Sequence, residues 1–147
     1  MDKPLVLLAD DNEATCTLIT ALLQRDFVVH VAGDGNEAIE RLKTTQYSAI
    51  LLDLLMPVVD GYAVLDFLRA ERPELLQQVL VVTASLAARE MQRLNDYQVR
   101  RVIPKPFEVD VLYYAVRECA GLPGSQNLRG SLISGGMLLL LAEVLRV

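Results

Sequence analysis

Five apolar runs of four to six residues, at positions 5–9, 27–32, 49–52, 79–82 and 99–103, are spread along the chain. They are rich in Val, Leu and Ile and bounded by polar residues, so they read as strands buried on both faces, as a parallel sheet requires. Between them, apolar residues recur at spacings of three and four. Ala14, Leu18, Ala21 and Leu22 do so, as do Ala38, Ile39 and Leu42. The pattern repeats in Val64, Leu65 and Leu68, in Ala87, Met91 and Leu94, and in Val109, Leu112, Val116 and Cys119. That is the spacing of helices with one apolar face. Strand and helix alternating five times imply right-handed crossovers and an open, doubly wound α/β fold. Asp11 or Asn12, Asp34 (three residues before Glu37) and Asp60 stand where helices start, and Gly121 with Pro123 stops the last one.

The ends of four runs carry the chemistry. Asp10 and Asp11 follow the first, Asp53 the third, Thr83 the fourth, and Lys105 the fifth after Pro104. If the runs are strands of one parallel sheet, all these groups gather at one rim. Carboxylates so close repel each other, which raises at least one pKa unless a cation relieves them. Magnesium suits such a cluster, because it takes hard oxygen ligands and shares its shell with water and phosphate. An ionised aspartate can also attack phosphorus and form an acyl phosphate. Taken singly, each residue has a plainer role: an Asp as helix cap, a Thr as β-former, a Lys as solvated loop charge. Four separate strand ends bearing complementary groups are not explained that way.

The order Asp10-Asp11, Asp53, Thr83, Lys105, with Met56-Pro57, Asp60-Gly61 and Pro104-Lys105-Pro106-Phe107, resembles the receiver domain of two-component response regulators. The resemblance runs from about residue 4 to residue 121. It implies a five-stranded flavodoxin-like sheet of order 2-1-3-4-5 between two helical layers, whose switch point lies between the first and third strands. It also implies phosphorylation of Asp53, assisted by Thr83 and Lys105. The Mg2+ ligands would be Asp10, Asp11 or both, Asp53, and the backbone carbonyl of Leu55. A cis bond at Lys105-Pro106 would fit the family, and X–Pro is where cis bonds occur. The phosphodonor would be a histidine kinase or histidine phosphotransfer protein, and residues 86–119 would face a downstream protein. Such a domain is a signalling module with intrinsic phosphotransfer and autodephosphorylation, not otherwise an enzyme. One position departs from the pattern. Many receivers carry Tyr or Phe three residues before the site lysine, and this chain has Val102. The competing reading is a scaffold of the same fold that works without phosphorylation.

Two other readings fare worse. Gly33-Asp34-Gly35-Asn36-Glu37-Ala38 fits a dinucleotide fingerprint, but in the second βα unit and with Asp34 facing the phosphates. An aspartate-nucleophile phosphatase wants a second acid two residues after the nucleophile, where Leu55 stands. The net charge of -5, without a basic cluster, argues against direct nucleic-acid binding. No window approaches the ~20 apolar residues of a membrane span, and Cys16 and Cys119 share no metal spacing, so a cytoplasmic setting is expected. His30 is expected to be structural, and one of Tyr113 and Tyr114 to belong to the core.

The expected organisation is a receiver over residues 1–121, a Gly/Ser-rich linker over 122–136 and an apolar extension over 137–147. That extension holds only Glu143 and Arg146 as charged residues, and apolar surface of this kind favours contact with another molecule. It is therefore expected to promote self-association. Light scattering on the full chain and on one ending at Gly121 checks this: the shorter should be monomeric and the longer associated. Two monomers at high concentration would remove the extension as an oligomerisation element.

Overall fold

The computed structural model describes residues 2–84 and 86–122. Its elements run β1 (Leu5–Ala9), α1 (Glu13–Leu23), β2 (Val28–Ala32), α2 (Gly35–Thr44), β3 (Ala49–Leu52) and α3 (Gly61–Glu71). A 3-10 segment (Pro73–Gln78) follows, then β4 (Val79–Thr83), α4 (Ala88–Tyr97), β5 (Arg101–Pro104) and α5 (Val109–Cys119). The five strands form one sheet in the order β2-β1-β3-β4-β5, every pair parallel. This is the doubly wound α/β architecture expected, with its reversal of strand order between β1 and β3.

Successive residues of a strand face opposite sides, and the core divides accordingly. Leu7, Ala9, Ile50, Leu52, Val79 and Val81 pack with α2, α3 and α4 residues such as Leu42, Leu65 and Leu94. Val6, Leu8, Leu51, Leu80 and Val82 pack on the other face with α1 and α5, through Leu22, Leu112 and Val116 among others. The helix starts follow the residues expected. Asn12, Asp34 and Asp60 each accept a hydrogen bond from the backbone N–H three residues on, satisfying a donor that the first turn leaves unpaired. At the far end Gly121, at φ 71°, lets Leu122 N–H return to Arg117 and Gly121 N–H to Glu118, a Schellman closure of α5.

Two expectations need correction. Only β1, β3 and β4 are covered on both faces. β2 and β5 are the sheet's edges, and Val28, Val31 and Arg101 are exposed. The fifth strand also starts at Arg101 rather than at residue 99, because Gln98 ends α4 in the left-handed region and the turn consumes the next two residues. The 3-10 segment before β4 was not expected. Residues 123–147, and so nearly all of the linker and the whole apolar extension, lie outside the described residues.

Smaller expectations hold. The Lys105–Pro106 bond is cis. His30 is half-buried with Nδ1 2.8 Å from the Tyr47 hydroxyl, and Tyr113 is buried while Tyr114 is half-buried.

Gly61 lets the loop after β3 close over the sheet. A Cβ on Gly61 would lie 2.4 Å from the Asp53 carbonyl oxygen and 2.7 Å from Leu54 Cα, both backbone atoms that cannot yield cheaply. Gly61 N–H donates to Leu54 O at 3.1 Å, so α3 begins directly against the end of β3. Gly61→Ala should therefore destabilise the fold by about 1–3 kcal/mol through overpacking. Thermal or urea denaturation measures this, and a variant as stable as the parent would show that the contact relaxes freely.

Candidate functional site

The last rungs of the sheet ladder place the polar residues. Asp10 N–H donates to Ala32 O at 3.0 Å, Asp53 N–H to Ala9 O at 2.9 Å, and Lys105 N–H to Thr83 O at 3.0 Å. Each residue is thus fixed one step beyond its strand, on the rim where the C-terminal strand ends meet. Asp10, Asp53 and Thr83 are buried, with exposures of 3%, 6% and 0%, whereas Asp11 is exposed. One carboxylate oxygen from each of Asp10, Asp11 and Asp53 lies within 4.8 Å of the others.

Lys105 ties the group together. Its Nζ donates to Asp10 Oδ2 at 2.7 Å and to Asp53 Oδ2 at 3.2 Å. The remaining oxygens are held by backbone: Asn12 N–H donates to Asp10 Oδ1 at 2.9 Å, and Leu55 N–H to Asp53 Oδ1 at 3.2 Å. Burial pushes the Asp10 pKa up, against the pull of the Lys105 ammonium and the Asn12 amide. For Lys105, burial alone favours the neutral amine, but the Asp10 bond and the charges of Asp10 and Asp53 together hold its pKa above the ordinary lysine value. The ammonium therefore stays charged at neutral pH.

The structure brings together Asp10, Asp11, Asp53 and Lys105 as expected, and puts Thr83 at the adjoining strand end. Leu55 follows on the loop after Asp53, its side chain exposed. The dinucleotide fingerprint is spent on structure. Gly33 N–H donates to Glu37 Oε2, Gly35 N–H to Val59 O and Glu37 N–H to Asp34 Oδ1, so these amides are turned away from any phosphate.

A Response regulator receiver domain model matches residues 6–117. The chain belongs to the response regulator receiver family. Among curated proteins, the receiver is 33% identical over 112 residues to the transcription factor SKN7 of Chaetomium thermophilum, covering 74% of this chain and 14% of that protein. It is 33% identical over 110 residues to the signal transduction histidine-protein kinase BarA of Escherichia coli, covering 74% and 12%. The receiver thus spans under a sixth of the length of these relatives. Among solved structures it is similar to the Francisella response regulator 1452 receiver domain, at TM-score 0.72 and 26% identity over 81% of this chain and 98% of that one. The receiver domain of the sensor histidine kinase PA1611 from Pseudomonas aeruginosa PAO1 gives TM-score 0.73 and 26% identity over 82% and 99%. That structure has a magnesium ion coordinated in its active-site cleft.

Two features escaped the sequence reading. Tyr62 on α3 donates to Glu90 on α4 and lies under the Arg93 guanidinium at 3.6 Å from its ring centre. Reciprocally, Tyr97 on α4 donates to Asp66 on α3 at 2.5 Å and lies under Arg69 at 4.4 Å. Such hydroxyl–carboxylate and cation–π contacts join the helices that follow Asp53 and Thr83. The sequence hint was faint: two tyrosines on separate helices, each with an acid and an arginine at helical spacing.

Cys16 also borders the site, its thiol lying 3.3 Å from Asp10 O. Burial, then the Asp10 charge, pushes its pKa to about 11. A raised pKa means less thiolate, so at pH 8 the thiolate fraction falls about a hundredfold below that of an ordinary cysteine. The greater nucleophilicity of a more basic thiolate offsets part of this. Cys16 should react with a disulfide reagent at least about tenfold slower than a free cysteine. Stopped-flow absorbance checks this on a Cys119→Ser chain. Reaction at the free-thiol rate would mean that Cys16 is not held as described.

Proposed function

We propose that this receiver accepts a phosphoryl group on Asp53 and that the phosphorylated form changes which protein it binds. The observation that carries the reading is Lys105 Nζ spanning Asp10 and Asp53 at 2.7 and 3.2 Å. An ammonium held beside a nucleophilic carboxylate is positioned to stabilise charge on a transferring phosphoryl group, and positioning plus electrostatics is most of what phosphoryl transfer needs. Asp53 is the acceptor because it lies at the switch point, next to both Lys105 and the acidic pair. Asp10 holds Lys105 in place through Oδ2. Thr83, at the end of β4, supplies a hydroxyl toward the phosphoryl oxygens.

The residues fit Mg2+. Three carboxylates offer hard oxygens close together, and exposed Asp11 leaves one side open to water and phosphate. Asp10, Asp11, Asp53 and the Leu55 carbonyl would hold the ion, which supplies positive charge to the phosphoryl oxygens. The donor in this reading is a histidine kinase or histidine phosphotransfer protein. Loss of the phosphoryl group to water, the receiver's own autodephosphorylation, resets the state.

The downstream partner is assigned to residues 86–119. There a groove of about 280 Å³ is lined by Met91, Leu94, Val99, Arg100, Arg101 and Val102, among others. With Val at 102, no aromatic ring on β5 is available to report the state of the site. In its place the Tyr62–Glu90 and Tyr97–Asp66 contacts tie α3, the helix after Asp53, to α4, the helix after Thr83. A phosphorylated form that favours one arrangement of α4 is then selected by a partner that prefers it. A cytoplasmic setting, where such donors work, belongs to the same reading. Among the described residues no helix is long and apolar enough to cross a membrane.

Acetyl phosphate with Mg2+ should add one phosphoryl group to the chain by intact mass, and Asp53→Asn should abolish it. Lys105→Ala should keep its circular dichroism and slow labelling by about 100- to 1000-fold, the scale of losing one charge-stabilising donor. Undiminished labelling of Asp53→Asn would overturn the reading in favour of a scaffold that works without phosphorylation.

A further inference from the structure

The loop between β3 and α3 holds a conformation that its sequence resists. Val59 N–H donates to Pro57 O at 2.7 Å, closing a γ-turn, and the central residue, Val58, has φ 65°. A turn of this sign is the rarer and more strained γ form, and a β-branched residue tolerates positive φ poorly. The surroundings enforce it. Val59 O accepts from Gly35 N–H at 2.8 Å on one side, and Leu54 O accepts from Gly61 N–H at 3.1 Å on the other. The result is a side chain thrust outward: Val58 is 92% exposed, beside exposed Pro57 and a Leu55 that is 60% exposed. Glycine or asparagine would take the same backbone without strain, so the fold alone does not call for Val here. Strain retained next to a reactive group points to a use for the side chain.

We propose that Leu55, Pro57 and Val58 form an apolar contact for the protein that carries the phosphohistidine, and that Val58 helps decide which donor is accepted. The inference rests on Asp53 being the acceptor. The occupant follows from place: Leu55 N–H bonds to Asp53 Oδ1, so a protein that brings phosphorus to Asp53 covers this loop as it docks. In that complex an Asp53 carboxylate oxygen forms the new P–O bond as the donor's P–N bond breaks. The imidazole nitrogen keeps the electron pair and takes up a proton. A small donor such as acetyl phosphate reaches Asp53 without needing the loop. The other exposed large apolar residues among those described are elsewhere: Val28 and Val31 on the edge strand, Met91 at the α4 groove.

The test compares Val58→Asn, Val58→Gly and Val58→Ile with the parent chain, all with Mg2+. The donors are acetyl phosphate and the autophosphorylated histidine kinases of the same genome, assayed one by one to find the fastest. Acetyl phosphate labelling should be equal in all four chains, and Asn and Gly at 58 should melt no lower than the parent. Transfer from the fastest kinase should fall roughly tenfold for Asn and Gly, the loss expected from one buried apolar side chain, and recover with Ile. Equal transfer to all four chains overturns the proposal. So does a parallel loss with acetyl phosphate, which would place the effect on site geometry, or a change confined to self-association in light scattering, which would make a second copy the occupant. No transfer from any kinase, with acetyl phosphate labelling intact, also overturns it. Failure of acetyl phosphate to label the parent chain would instead strike the reading of Asp53 itself.

Discussion

The Lys105 ammonium is the interaction on which the site depends. Two of the three carboxylates at the rim are buried, and burial disfavours carboxylate charge unless a cation offsets it. Lys105 meets both at hydrogen-bond distance, and the acids in return keep the ammonium charged. A buried cluster of this kind adds little to stability by itself, because desolvation cancels much of the attraction. Its value lies in a concentrated, fixed charge pattern, which in the proposed function meets a phosphoryl group and a divalent cation.

The sheet delivers that pattern without strain of its own. Asp10, Asp53 and Lys105 each continue the hydrogen-bond ladder by one rung, so their backbones are as fixed as the strands they follow. The loops above the rim are different. Gly61 brings α3 against Asp53, Gly35 clasps the loop at Val59, and Val58 is left in a conformation it resists. In the proposed reading, rigid floor and tensioned loops divide the work: the floor holds the chemistry, and the loops carry the surface that a phosphodonor meets. The receiver is similar to stretches of a transcription factor and of a signal transduction histidine-protein kinase alike, as a fold that carries different functions allows.

The strands of the sheet centre could be read directly because burial on both faces forces continuous apolar runs, as in Leu5–Ala9 and Ala49–Leu52. The edges could not. β2 holds His30 and β5 holds Arg101, but one polar residue does not mark a strand as an edge, and only the sheet order, which came from a family resemblance, reveals that one side of each is open. The caps at Asn12, Asp34 and Asp60 were legible because they are local, three residues from the amide they serve. The acidic pair, Asp53, Thr83 and Lys105 were legible because a parallel sheet carries all strand ends to one rim. The Val58 turn and the Tyr62 and Tyr97 contacts were not, since each depends on how separate segments meet: the loop on α2 and α3, and α3 on α4. No periodicity in the sequence encodes those meetings.

The central claim is that, of three carboxylates crowded at one rim, Asp53 alone takes the phosphoryl group. Borohydride reduction of the phosphorylated chain converts an aspartyl phosphate to homoserine, and tandem mass spectrometry then finds its position. The account predicts homoserine at position 53 and only when Mg2+ was present during labelling. Homoserine at position 10 or 11, or at 53 in equal yield without Mg2+, would contradict it.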